Sequence, residues 1–97
     1  MKATLILRTR EVFDGVLIEM VAWQLPTPVP GCSHNYKYRF YAGLLSGGCL
    51  IRYDNERRKG DHLHIEGNEE PYIFTTLHDL KNDFEREVRR WIKENRS

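Results

Sequence analysis

Asn35-Tyr36-Lys37-Tyr38-Arg39-Phe40-Tyr41-Ala42 sets Tyr36, Tyr38 and Phe40 on one side of the chain and Lys37, Arg39 and Tyr41 on the other. Successive side chains of a strand point to opposite faces, so this alternation predicts a strand with one buried face. Just upstream, Pro26-Thr27-Pro28-Val29-Pro30-Gly31 has no amide donor at its prolines and reads as an extended rim loop within one domain. Before that loop, residues 3–9 and 16–25 are aliphatic, β-branched runs, and Asp14-Gly15 between them is a pair that hairpin turns favour.

Downstream, Leu45-Ser46-Gly47-Gly48 marks a turn, and residues 49–54 alternate again. Residues 55–60 form a charged loop. Residues 61–66 predict another strand, with Leu63 and Ile65 facing the core and His62 and His64 facing solvent. Residues 67–71 read as a polar turn and 72–74 as a short edge strand. From Thr76 the period becomes helical: Leu77, Leu80, Phe84, Val88 and Trp91 make one apolar stripe, and Thr76 with Asp79 approximates a capping box. Connections this short exclude parallel crossovers. The expectation is an α+β fold: an antiparallel meander of about five strands packed against one C-terminal helix.

A chain of 97 residues with 40% hydrophobic and 30% charged residues is a single globular domain over residues 1–97. Its 15 basic and 14 acidic residues leave a net charge of +1, so contact with a polyanion must be local. Arg8 and Arg10 interrupt the apolar start too early for an export signal, and no run is long enough to span a bilayer. A cytoplasmic protein with no membrane role is expected. Cys32 and Cys49 form no CxxC pair and are expected as reduced thiols.

Chemistry concentrates in Tyr53-Asp54-Asn55-Glu56-Arg57-Arg58-Lys59-Gly60-Asp61-His62-Leu63-His64. Residues two apart on a strand share a face, so His62 and His64 stand side by side, roughly 7 Å apart at the backbone. One imidazole protonated and its neighbour neutral can serve as general acid and base on one bond. Asp61 and Glu56 are the candidate catalytic carboxylates beside them, with Asp61 orienting a histidine. Arg57 and Lys59 are placed to neutralise a phosphate. Tyr53, Asp54 and Asn55 complete the candidate binding segment. A second cluster, His34-Asn35-Tyr36-Lys37-Tyr38-Arg39, interleaves cations with aromatics as single-strand binders do; its tyrosines read as core, leaving His34, Lys37 and Arg39 as candidate contacts. The bland alternative is a solvated hairpin that is charged because loops are polar. No cofactor is firmly implied; in a variant, His62, His64 and Asp61 (or Asp54) ligate a divalent metal.

The motif Tyr53-Asp54-Asn55-Glu56-Arg57, then Lys59-Gly60-Asp61-His62 and His64, resembles the signature of the TumE-type toxins of bacterial and archaeal toxin-antitoxin systems. Glu19-Met20-Val21, Trp23, Leu25-Pro26, Pro28, Pro30-Gly31, His34, Tyr36-Lys37-Tyr38-Arg39 and Glu70-Pro71-Tyr72 follow in the family's order, so the resemblance spans nearly the whole chain. Arg58 stands where a glycine is usual, and Leu63 where an arginine is usual. The resemblance implies a toxin silenced by a helix-turn-helix antitoxin from the neighbouring gene, without fixing the chemical target. Three functions are then open, in this order: an enzyme acting on RNA or another phosphate ester, a ribonuclease or nucleotide-modifying enzyme; a non-enzymatic toxin or interaction protein that binds and blocks a cellular machine; and a purely structural partner of a regulator.

Overall fold

The computed structural model describes residues 2–96. Six strands, β1 (Thr4–Phe13), β2 (Val16–Gln24), β3 (Tyr36–Leu44), β4 (Cys49–Glu56), β5 (Gly60–Ile65) and β6 (Asn68–Pro71), are followed by one helix, α1 (Leu77–Arg96). Each strand pairs antiparallel with the next, in the order β1-β2-β3-β4-β5-β6. This is the expected α+β meander with one more strand than the count of five.

Asp14 and Gly15 both take positive φ, as a two-residue hairpin turn of the favoured twist requires, and Phe13 pairs with Val16 at its mouth. The tight turn holds the strands together up to that point, which is why β1 runs to Phe13 and not only to residue 9. Glu66 and Gly67 repeat the device, pairing Ile65 with Asn68. The last strand is therefore residues 68–71, which the sequence assigns to a turn. Residues 72–74, expected as an edge strand, instead carry the chain to the helix, with Tyr72 and Phe74 packed on the core.

Val16, Ile18, Met20 and Ala22 of β2, Tyr38, Phe40 and Ala42 of β3, and Ile51 and Tyr53 of β4 form one buried face under Leu80, Phe84 and Val88 of α1. Phe84 meets Phe40 and Tyr53 edge-on, at ring-centroid distances of 5.5 and 5.9 Å. The helix starts as its cap residues dictate, with the Asp79 amide donating to Thr76 Oγ1 at 3.0 Å and Thr75 Oγ1 donating to Asp79 Oδ2 at 2.8 Å. The other face of the sheet carries no helix and is called the open face below. Among the described residues, no helix is long and apolar enough to cross a membrane.

Candidate active site

β4 and β5 pair from Ile51–Ile65 to Glu56–Gly60, and Arg57, Arg58 and Lys59 cap the hairpin, all exposed. Arg58 sits at φ 67°, a left-handed conformation that costs a side-chain-bearing residue about 1 kcal/mol and explains why glycine suits this position. Its amide donates to Pro30 O at 2.5 Å, tying the proline loop to the hairpin. Gly31 sits at φ 98°, and a Cβ there would lie 3.0 Å from the Arg58 backbone, so glycine suits this close approach.

Strand alternation divides the candidate segment between the two faces. Arg52, Asp54, Glu56, His62 and His64 point to the open face; Tyr53, Asn55, Asp61 and Leu63 point to the helix side. On the open face, His62 Nε2 lies 2.6 Å from Asp54 Oδ1, 3.6 Å from Glu56 Oε1 and 4.0 Å from Glu69 Oε1. Its Nδ1 is 3.1 Å from the Gly60 carbonyl, which only accepts, so Nδ1 carries a proton. The Asp54 contact is close but poorly aligned, leaving Asp54 Oδ1, His62 Nε2 and Arg52 Nε buried without a well-directed hydrogen bond. His64 Nε2 accepts from Arg52 Nη2 at 2.8 Å, and Arg52 Nε reaches Asp54 Oδ2 at 3.3 Å. The two imidazole centroids are 5.4 Å apart.

His62 is on the expected face but is not solvent-exposed: only 3% of it is accessible, because the strand row and the carboxylates around it close over the ring. His64 keeps partial access. Glu69 Oε1 lies 3.8 Å from His64 Nε2 and pairs with the exposed Lys59 ammonium, which holds the Glu69 carboxyl below its usual range. Arg52 and Glu69 are missed by the sequence reading. Their place follows from register, since His64 pairs with Arg52 on one side and Glu69 on the other, and register is set by turns whose length had to be known first.

Asp61 does not orient His62 or His64. It faces the opposite side of the sheet, where its Oδ1 lies 2.7 Å from His34 Nε2 and accepts from the Tyr38 hydroxyl at 2.7 Å. His34 Nδ1 accepts from the Tyr36 amide at 3.2 Å, and its ring stacks on Phe74 at 3.8 Å, so the imidazole is held on both nitrogens and one flank. Burial and the Asp61 carboxylate push the Tyr38 phenol far above its ordinary range. The ligand set His62, His64 and Asp61 is thus not assembled. The donors that do converge are Asp54 with His62 and His64, and, separately, Cys32 with His34 and Asp61. Burial raises the Cys32 thiol, so it is no ready thiolate, and both cysteines are free.

Tyr53 and Asn55 are buried on the helix side of the sheet, away from the two histidines. Tyr53 is 3% accessible in the helix-side core, where burial pushes its phenol up to about 12. Asn55 is fully buried: its Oδ1 accepts from the Tyr38 amide at 3.0 Å and its Nδ2 donates to the Tyr36 carbonyl at 2.7 Å, replacing the ladder where β3 and β4 part. Lys37 donates to the Asn55 carbonyl, and Arg39 lies over the Tyr41 ring at 4.8 Å, both on the open face.

The family model described as Toxin TumE matches residues 2–92. No curated protein and no solved structure matches the chain significantly. The matched span takes in all six strands, both polar clusters and most of α1, and on that coverage the chain belongs to the TumE toxin family.

Proposed function

We propose that this protein is the toxin of a toxin-antitoxin pair and attacks a phosphate ester, with RNA as the substrate class, at the open-face centre formed by His62, His64, Arg52 and Lys59. One observation carries this: the Glu69 carboxylate already stands where an anion would, paired with Lys59 and within 3.8 and 4.0 Å of the two histidine Nε2 atoms. A substrate phosphate displacing that carboxylate meets the Lys59 ammonium and His62 Nε2, with the His64 lone pair within reach and Arg57 at the hairpin rim as a further cation.

The two imidazoles differ in a way that suits acid-base work. The Nε2 atom of His64 faces a guanidinium, which only donates, so it holds a lone pair. His62 has a proton on Nδ1, and the carboxylates that face its Nε2 only accept, so the proton given to the leaving oxygen is assigned to that atom. A phosphate that draws Arg52 away frees the His64 lone pair to take a proton from the attacking hydroxyl. The new oxygen-phosphorus bond forms, the opposite one breaks, and the His62 Nε2 proton passes to the leaving oxygen. Because His62 is covered, the Lys59–Glu69 bridge must open first. Glu56 lies at the edge of this centre, and Asp54 holds His62.

A helix-turn-helix antitoxin from the neighbouring gene, binding over the β4–β5 hairpin in the cytoplasm, completes the proposal. Induced expression of wild type and His64→Gln, with and without that neighbour, tests it. Growth arrest by wild type alone, relieved by the neighbour and lost in His64→Gln, supports the enzyme. A fully toxic His64→Gln overturns it in favour of a toxin that acts by binding.

A further inference from the structure

Pairing register places two rows of side chains across the open face. One runs Arg8–Val21–Arg39–Asp54–His62, the other Arg10–Glu19–Tyr41–Arg52–His64, and Trp23 lies beside Lys37 at the next level. Cross-strand partners share a face, so each row is a continuous path from the β1 edge into the histidine centre. Four strand spacings from Arg8 to His62 give roughly 19 Å. Arg8, Arg10, Lys37 and Arg39 are exposed, and among the described residues Arg8, Arg10 and Arg39 have no carboxylate ion pair. Among the described residues Glu19 is the one acid on the open face of β1–β3, and Asp54 of β4 stands next to Arg39. Among the described residues Trp23 and Tyr41 are half-buried with no aromatic partner on this side, the Arg39 guanidinium lies over one face of the Tyr41 ring, and a groove of about 180 Å³ lined by Val21, Trp23, Lys37, Arg39 and Asp54 lies between the tryptophan and the centre.

From this arrangement we infer that the open face of β1–β4 is a binding track for single-stranded RNA, with Arg8, Arg10 and Arg39 holding phosphates and Trp23 and Tyr41 stacking bases, and that it feeds the strand to His62 and His64. The inference rests on the phosphate-ester reading above and adds the substrate's form and path. On β1–β3 four cations face one acid, a balance that matches a polyanion, and the acids Asp54 and Glu56 enter only at β4. A flat sheet cannot enter the deep, narrow groove of duplex RNA, whereas half-buried rings on a sheet face suit unstacked bases. The cations are spread over the face, two on β1 and two on β3, and not gathered at one point, which suits a chain of phosphates better than a mononucleotide.

Fluorescence anisotropy with a labelled mixed-sequence oligoribonucleotide of about 12 nucleotides tests the track. The full chain carrying His64→Gln serves as parent so that bound strand is not consumed. The parent should bind with a steep salt dependence, and the same sequence as a duplex should bind more weakly. Arg8→Glu and Arg39→Glu should each lower affinity about tenfold and flatten the salt slope by about one, and Trp23→Leu should weaken binding roughly tenfold with less change in slope. Thermal melting of each variant separates lost contact from lost fold. Since Arg8 and Arg39 are exposed, their variants should melt with the parent. Unchanged affinity in both arginine variants, with loss in Arg57→Glu, overturns the track while leaving the centre intact. Equal affinity for duplex overturns the stacking role. A parent that binds no RNA overturns the track outright, whereas the phosphate-ester reading falls only if His64→Gln remains toxic.

Discussion

The Nε2 atom of His62 lies 2.6 Å from Oδ1 of Asp54, its cross-strand neighbour, in a pocket almost closed to solvent. The two conspicuous histidines are therefore not equivalent: one is buried against a carboxylate and the other is partly open.

Replacing His62 with Ala leaves the Asp54 carboxylate with only Arg52 and should cost about 1–3 kcal/mol, whereas His64→Ala should stay within about 1 kcal/mol. In thermal melting, each kcal/mol appears as roughly 4–8 °C in a domain of this size. Equal melting temperatures for the two variants would show that His62 bears no structural load.

Asp61→Ala should destabilise the fold without touching the chemistry. It removes the acceptor of a Tyr38 hydroxyl that is almost wholly buried, at a cost of about 1–3 kcal/mol. At a temperature where circular dichroism remains native, toxicity should persist. Loss of toxicity there would return Asp61 to the reacting centre.

Removing the carboxylate that stands in the anion position should help anions. Glu69→Ala is expected to tighten binding of inorganic phosphate several-fold, measured by isothermal titration, and Lys59→Ala to weaken it. The opposite order would show that Glu69 supports the centre and does not plug it.

Alkaline pH should unfold the domain cooperatively with tyrosine ionisation. The Tyr53 phenol is pushed from 10.0 up to about 12 by burial, and Tyr38 and Tyr72 are raised as well. A raised pKa means the native state holds its proton longer than the unfolded chain. The stabilisation is complete below pH 10 and is lost as pH climbs toward 12. Urea midpoints measured across that window should fall, and tyrosinate absorbance should rise with the unfolding transition; flat midpoints would contradict the burial of these rings.

The sequence by itself determined the parts of this protein that depend on local period and local turn chemistry. Alternation from Asn35 to Ala42, the Asp14-Gly15 turn and the stripe Leu80, Phe84 and Val88 fixed a meander under one helix, because strand and helix periods differ and the apolar face must be buried. The faces of His62, His64, Lys37 and Arg39 were legible for the same reason. The sixth strand was not, since Asn68-Glu69-Glu70-Pro71 has no apolar alternation and pairs only because the Glu66-Gly67 turn folds it back on β5. Nor was the division of the polar segment. Asp61 and His62 are adjacent in the chain, yet the pleat sends one to His34 and Tyr38 and the other to Asp54, and what each one meets depends on residues up to 27 positions away. Only tertiary structure decides such partners, because a strand's period states which face a side chain takes, while the register of its neighbours states what is waiting there.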